Sequence, residues 1–177
     1  MKKTLLIFPG FPYYSPNGRP PLGIGYIASA LRRCGCETRI LDLTLYPPGS
    51  AILAETLEEY KPDYAMFSVL TTTYPGLRAC MDEVGKCPSV KKVIFGGPHV
   101  TADPEGVMKD FPEVIIVRGE GENTIAELMS ALEAGSDLAG VNGINYVSQG
   151  ERRHTPTRPF MADLSALAML AFDLMEI

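Results

Sequence analysis

Tyr64-Ala65-Met66-Phe67-Ser68-Val69-Leu70 and, one helix-sized gap further on, Val93-Ile94-Phe95-Gly96-Gly97-Pro98 are the stretches that decide the fold. Each is a short, almost unbroken apolar run that closes on small residues. Runs of this kind, rich in β-branched and aromatic side chains, read as strands covered on both faces, the habit of parallel sheets. Ser68 ends the first run and Gly96-Gly97 ends the second. A hydroxyl at one strand tip, beside two residues without side chains at the next, would leave a slot for something long and flat.

The same alternation extends outward from this pair. Strands are expected at residues 4–8, 38–43, 64–69, 92–95 and 114–117. Between them the period changes to that of a helix: Ile24, Ile27, Ala28 and Leu31 fall at i, i+3, i+4 and i+7, with Gly35 as the stop. Leu77, Cys80, Met81 and Val84 repeat that spacing, as do Ile125, Leu128, Met129 and Leu132 before Gly135. A second helix over residues 52–60 ends before Pro62, and Asp103-Pro104 supplies a cap followed by proline at the first helical position. Strand–helix alternation of this regularity predicts an α/β fold, a doubly wound five-stranded parallel sheet of the Rossmann or flavodoxin-like kind, in the order 2-1-3-4-5. Ligands of such sheets sit over the carboxyl ends of the strands at the switch point. The site is therefore expected among the loops at 9–21, 70–74, 96–101 and 118–122.

After Gly135 the pattern changes. Residues 141–147 and 152–155 flank Ser148-Gln149-Gly150-Glu151 and read as a β-hairpin. Arg158-Pro159-Phe160 and a stretch with scattered leucines follow. The organisation expected is a ligand-binding domain over residues 1–137, with a hairpin and connector over 138–177.

The 177 residues, 46% apolar and 21% charged, are those of one soluble globular domain. A net charge of −5 and the lack of a basic stripe give no support for nucleic-acid binding. No apolar run is long enough for a membrane span, and Met1-Lys2-Lys3 leads into a strand rather than a signal peptide, so a cytoplasmic address is expected. Cys34, Cys36, Cys80 and Cys87 show no zinc-type spacing and read as free thiols in a reducing compartment. Neither a metal site nor a catalytic residue is expected, and the sequence holds no Cys-x-x-x-Cys-x-x-Cys.

Four motifs bear on function. Gly23-Ile24-Gly25-Tyr26-Ile27-Ala28 matches the dinucleotide fingerprint G-x-G-x-x-A, with Asp42 at the distance of a ribose-binding acid. It stands behind a long proline-rich loop, however, not in the tight turn directly after the first strand. Close helix–sheet packing accounts for its small residues; a domain binding NAD or FAD stays open as an alternative, as does a docking domain without cofactor. The first-strand loop carries Phe11, Tyr13 and Tyr14, which could wall a flat ligand or pack on the rim. His99 follows Gly96-Gly97-Pro98 with no second metal ligand nearby and reads as a loop histidine that shapes the site. Arg118-Gly119-Glu120-Gly121-Glu122 opens the last helix, where free amides suit a polar group and the two carboxylates suit the helix dipole.

In their order and spacing, Pro20-Pro21-Leu22-Gly23-Ile24-Gly25-Tyr26-Ile27-Ala28, Gly96-Gly97-Pro98-His99-Val100-Thr101 with Pro104-Glu105, and Val117-Arg118-Gly119-Glu120-Gly121-Glu122 are similar to one family. The chain resembles the N-terminal cobalamin-binding domain of cobalamin-dependent radical SAM enzymes. The resemblance implies that Ser68 and Leu70, as a Ser-x-Leu, and Gly96 and Gly97 line the slot for the cofactor's nucleotide tail, with the Ser68 hydroxyl bonded to its base. It implies that Thr71, Thr72, Thr73 and Tyr74 face the lower side of the corrin, and that Pro98, His99, Gly119, Glu120, Gly121 and Glu122 complete the binding set. The Asp-x-His-x-x-Gly that supplies a cobalt ligand in methionine-synthase-like domains is missing after the first strand, as is common in the radical SAM subclass; the resemblance implies base-off binding without a histidine lower ligand, leaving water, no ligand or a loop side chain below the cobalt. The resemblance further implies a 4Fe-4S cluster and S-adenosylmethionine in a C-terminal radical SAM domain of a longer parent chain. The hairpin and the tail through Phe172-Asp173-Leu174 resemble the segment leading to it, although Leu167-Ala168-Met169-Leu170 stands where the family usually has proline. As given, the chain is expected to bind and not to catalyse.

Overall fold

In the computed structural model, which describes residues 1–11 and 20–176, the expected strands and helices alternate along the chain. β1 (Lys3–Phe8), β2 (Glu37–Asp42), β3 (Tyr64–Ser68), β4 (Lys92–Gly96) and β5 (Ile115–Val117) are parallel and lie in the order 2-1-3-4-5. The sheet continues past that point. β6 (Ile144–Ser148) runs antiparallel to β5, and β7 (Glu151–His154) antiparallel to β6, so among the described residues seven strands share one sheet. The five-stranded expectation is corrected accordingly. β5 has a free edge of backbone N–H and C=O groups, and the hairpin pairs with it, Ile116 opposite Asn145 and Val117 opposite Ile144. Its two-residue turn places Gln149 and Gly150 at φ 53° and 79°, the handedness a tight hairpin requires.

Alternation along the strands sorts the core into two layers. Leu5, Ile7, Ala65, Phe67, Phe95 and Ile116 face α2 (Ile52–Tyr60), α3 (Leu77–Gly85), α4 (Pro98–Ala102) and α5 (Pro104–Asp110). Leu6, Tyr64, Met66, Ile94, Ile115 and Val117 face α1 (Leu22–Arg33) and α6 (Gly121–Ala134). Asp103 caps α5 as expected, its carboxylate accepting from the Gly106 N–H at 3.0 Å. Among the described residues, no helix is long and apolar enough to cross a membrane.

The connector lies back across α1. Ser29 Oγ donates to the Met169 carbonyl at 2.7 Å, the Ala171 N–H reaches the Gly25 carbonyl, and Arg32 grips Asp173 through both oxygens at 2.9 and 2.7 Å. Further on, the Tyr46 hydroxyl donates to the Glu176 carboxylate at 3.0 Å. A Cβ on Gly25 would stand 2.8 Å from both Leu170 and Met175. That glycine of the G-x-G-x-x-A pattern is therefore small for the connector's sake, not for the sheet's.

Candidate cofactor site

Ser68 and Gly96 are register partners at the carboxyl tips of β3 and β4. Alternation sends both to the α1/α6 side, one pleat beyond Met66 and Ile94. A cavity of about 200 Å³ opens there. Its floor is Leu6, Met66, Ile94 and Val117; α1 contributes Ile24 and Ile27 as one wall, and α6 contributes Gly121, Glu122 and Ile125 as the other. Gly97, Pro98, Gly119 and Glu120 surround the mouth. A larger groove of about 600 Å³ runs between α3, α5 and the amino end of β4, away from the strand tips. In doubly wound sheets position outweighs volume, and the smaller cavity occupies the ligand-binding edge.

The two adjacent glycines have different tasks. Gly97 adopts φ 101°, and a Cβ there would lie 2.8 Å from the backbone N and O of Val69, so only glycine fits. The turn is fixed by the Val69 N–H donating to the Gly96 carbonyl at 2.8 Å and by the His99 N–H donating to the Val69 carbonyl at 3.1 Å. At Gly96 a Cβ would meet nothing closer than the Val117 carbonyl at 3.8 Å. Its missing side chain keeps the cavity open rather than relieving the backbone.

Of the residues singled out by sequence, Ser68, Gly96, Gly97, Pro98, Gly119, Glu120, Gly121 and Glu122 share this cavity. Leu70, Thr71, Thr72, Thr73, Tyr74 and His99 do not line it; they form the neighbouring rim after β3 and on α4. Thr71, Thr72, Thr73 and Tyr74 do not share one face. Thr71 and Thr72 are exposed, whereas Thr73 is fully buried and its hydroxyl both accepts from the Leu70 N–H and donates to the Leu70 carbonyl, each at 3.1 Å. Tyr74 leans its ring on His99 at 4.2 Å between centroids and donates its hydroxyl to Asp110 at 2.7 Å. Burial and the Asp110 carboxylate push that phenol above its usual range. His99 Nδ1 lies 3.1 Å from the Thr71 hydroxyl. At the mouth, Glu120 accepts the Met161 N–H of the connector at 2.6 Å, tying that segment to the start of α6.

Sequence reasoning missed the floor and the α1 wall. Met66 and Ile94 were readable as the same-face neighbours of Ser68 and Gly96 at period two; Ile27 and Gly23 carried no such signal. Gly23-Ile24-Gly25-Tyr26-Ile27-Ala28 lies inside α1, and buried Asp42 accepts at Oδ1 from the N–H and hydroxyl of Thr44 at 2.9 and 2.6 Å. Neither is arranged as a dinucleotide turn and its ribose acid. Phe11 is half-buried beside Leu43 and Tyr46 in a separate groove; Tyr13 and Tyr14 lie outside the described residues. Burial pushes the Cys36 and Cys80 thiols up to about 11, so both are protonated at neutral pH. Among the described residues, no group of His, Cys, Asp and Glu is gathered to hold a metal. His154, on β7, faces Glu105 at 3.3 Å.

Residues 16–129 match the family model described as B12 binding domain. The chain is 31% identical to an uncharacterized methyltransferase of Pyrococcus horikoshii over 159 residues, covering 89% of this chain and 34% of that protein. It is 29% identical to the anaerobic magnesium-protoporphyrin IX monomethyl ester cyclase of Synechocystis sp. over 149 residues, covering 82% and 30%. The chain thus spans about a third of the length of these curated relatives. Among solved structures, it matches the cobalamin-dependent S-adenosylmethionine radical enzyme OxsB with aqua-cobalamin and S-adenosylmethionine bound at a TM-score of 0.73 and 20% identity, covering 90% of this chain and 23% of that one. The radical S-adenosylmethionine methyltransferase TsrM of Kitasatospora setae, with cobalamin and a [4Fe-4S] cluster bound, matches at a TM-score of 0.73 and 21% identity, covering 95% and 31%.

Proposed function

The chain belongs to the B12 binding domain family, and from that premise we propose that the cavity between the sheet, α1 and α6 is the seat of cobalamin's nucleotide tail. One observation supports this most directly. At the level where Phe67 and Phe95 fill the opposite face, this face has only Ser68 and Gly96, and a void of ligand size stands where core would otherwise be. An apolar cavity of roughly 150 Å³ admits benzene. About 200 Å³ with an open mouth suits a fused bicyclic base.

In this reading, Leu6, Met66, Ile94 and Val117 give the base an apolar bed, and the Ser68 hydroxyl hydrogen-bonds it. Gly97, Pro98, Gly119, Glu120, Gly121 and Glu122 border its entry, where the free amides at the start of α6 suit the polar part of the tail. Leu70, Thr71, Thr72 and His99, along the strand-tip edge, would border the corrin. Thr73 holds their turn and Tyr74 braces His99 from behind. This chain would hold the cofactor base-off, its sequence having no histidine in an Asp-x-His-x-x-Gly setting to serve as a lower ligand. Bound cobalamin supplies a cobalt that carries a methyl group or takes part in a radical reaction; the chain supplies binding and no catalytic side chain.

We assign the cofactor to residues 1–137, with 138–177 closing the sheet edge and leading on toward a radical SAM domain of the parent enzyme. That domain would hold the 4Fe-4S cluster and S-adenosylmethionine, in the cytoplasm. The test is a spectral titration of the purified chain with hydroxocobalamin. Loss of the benzimidazole from cobalt should shift the absorption bands at micromolar protein, and spectra unchanged throughout the titration would falsify the proposal.

A further inference from the structure

One side chain joins the two lips of the cavity. Thr101, exposed on α4, donates from Oγ1 to the Gly97 carbonyl at 3.0 Å and accepts from the Gly119 N–H at 3.0 Å. Gly97 leads out of β4 and Gly119 leads out of β5. Those strands pair only at Ile94–Ile115 and Phe95–Ile116, so no ladder rung sets the distance between their tips beyond that point. Gly97 and Gly119 both line the cavity. A hydroxyl has one proton to give and lone pairs to accept with, and here each function is engaged by a different lip.

The remaining bonds of the two lips run in opposite directions. The Thr101 N–H also reaches the Gly97 carbonyl at 3.2 Å, which anchors α4 to the β4 side by main chain alone. On the β5 side, the Arg118 N–H donates to the Gly143 carbonyl at 2.8 Å, and the Arg118 guanidinium reaches the Thr155 carbonyl. The β5 lip is thus held toward the hairpin, away from the slot. The Thr101 hydroxyl crosses the gap against that direction.

We infer that Thr101 is a positioning residue that sets the width of the tail slot, so that it governs the hold on the nucleotide tail rather than on the corrin ring. The inference rests on reading the cavity as the tail's seat. Thr101→Val keeps the shape and deletes the hydroxyl, Thr101→Ser keeps the hydroxyl, and the probes are hydroxocobalamin and diaquacobinamide, which has the corrin without the tail.

Wild type should bind cobalamin more tightly than cobinamide. Thr101→Val should lose roughly three- to tenfold in cobalamin affinity while cobinamide affinity changes by less than about twofold. Thr101→Ser should restore the difference. A merely structural role would weaken both probes together, and that outcome, or wild-type cobalamin affinity in Thr101→Val, overturns the inference. Wild type that binds both probes equally rejects the tail-seat reading itself and this inference with it. Wild type that discriminates, matched by an equally discriminating Thr101→Val, rejects Thr101 alone.

Discussion

The two faces of the sheet are built from adjacent residues of the same strands, yet they end differently at the carboxyl edge. Phe67 precedes Ser68 on β3, and Phe95 precedes Gly96 on β4. On the α2–α5 face, Phe67, Phe95 and Phe111 lock edge to face at 5.5 and 5.4 Å between centroids, with Tyr74 a further 6.2 Å from Phe111. On the α1/α6 face, the neighbouring positions leave a cavity. A slot made by omitting side chains gives the strand tips no side-chain packing on its own face, beyond the backbone and Thr101 hydrogen bonds at the rim. The aromatic cluster on the reverse supplies packing at the same level, so core and site are decided one residue apart.

Breaking the filled face should have the largest effect. Phe95 is fully buried, and Phe95→Ala should cost about 3–5 kcal/mol in urea unfolding. Cobalamin affinity should fall as well, because Ser68 and Gly96 lose their fixed spacing. A variant within about 1 kcal/mol of wild type would place the structural hold elsewhere. Filling the empty face should do the reverse. Ser68→Phe should change stability by less than about 1 kcal/mol yet reduce cobalamin affinity on the order of 100-fold, roughly 2.7 kcal/mol. Retained affinity would show that the tail does not occupy the space over Ser68 and Gly96.

The glycine pair sharpens the contrast at single-residue scale. Gly97→Ala should destabilise by about 1–3 kcal/mol, because the methyl meets Val69 backbone at a φ that L-residues rarely adopt. Gly96→Ala should leave stability nearly unchanged and act on cobalamin affinity alone, since its methyl enters the cavity 3.8 Å from the nearest atom. Thermal unfolding with paired titrations separates the two; equal destabilisation by both would mean that Gly96 too is required by the backbone.

These contrasts also mark what the sequence could reveal. Strands buried on both faces leave unbroken apolar runs, so the parallel order was readable, and the tips were readable because Ser68 and Gly96 interrupt those runs. Which edge the hairpin joins was not, because pairing is decided by which strand is left with open backbone groups. The inward turn of Thr73 was hidden for a local reason: a threonine hydroxyl three residues after Leu70 competes for that residue's backbone groups. Asp42 is held by a similarly local contact, its Thr44 partner lying two residues on. Gly25 could not be read at all, because the side chains that require its smallness arrive from the connector.

The smallest effect is expected at the amino end of the strands, where neither face opens. Asp63 Oδ1 pairs with Lys91 Nζ at 2.6 Å, and its Oδ2 accepts the Lys3 N–H at 2.9 Å, so one carboxylate ties the starts of β1, β3 and β4. Lys91 first, then the Lys3 amide, hold that carboxyl below the usual carboxylate range. A folded-state value below the unfolded one means stability that is fully present above the unfolded value near pH 4 and is lost as pH falls through the lower, folded one. With Lys91 open to solvent, the contribution is small: Asp63→Asn should cost about 1 kcal/mol at pH 7. The gap should close in acid once pH has fallen through the lowered folded-state value, where both chains carry a neutral group at this position. Cobalamin affinity at pH 7 should be unchanged, because the tie lies at the far end of the strands from the cavity. A gap that persists in acid would mean the geometry of the amide, not the charge, is at fault. An altered affinity would mean that strand register set at the amino edge reaches the slot without the aromatic cluster as intermediary.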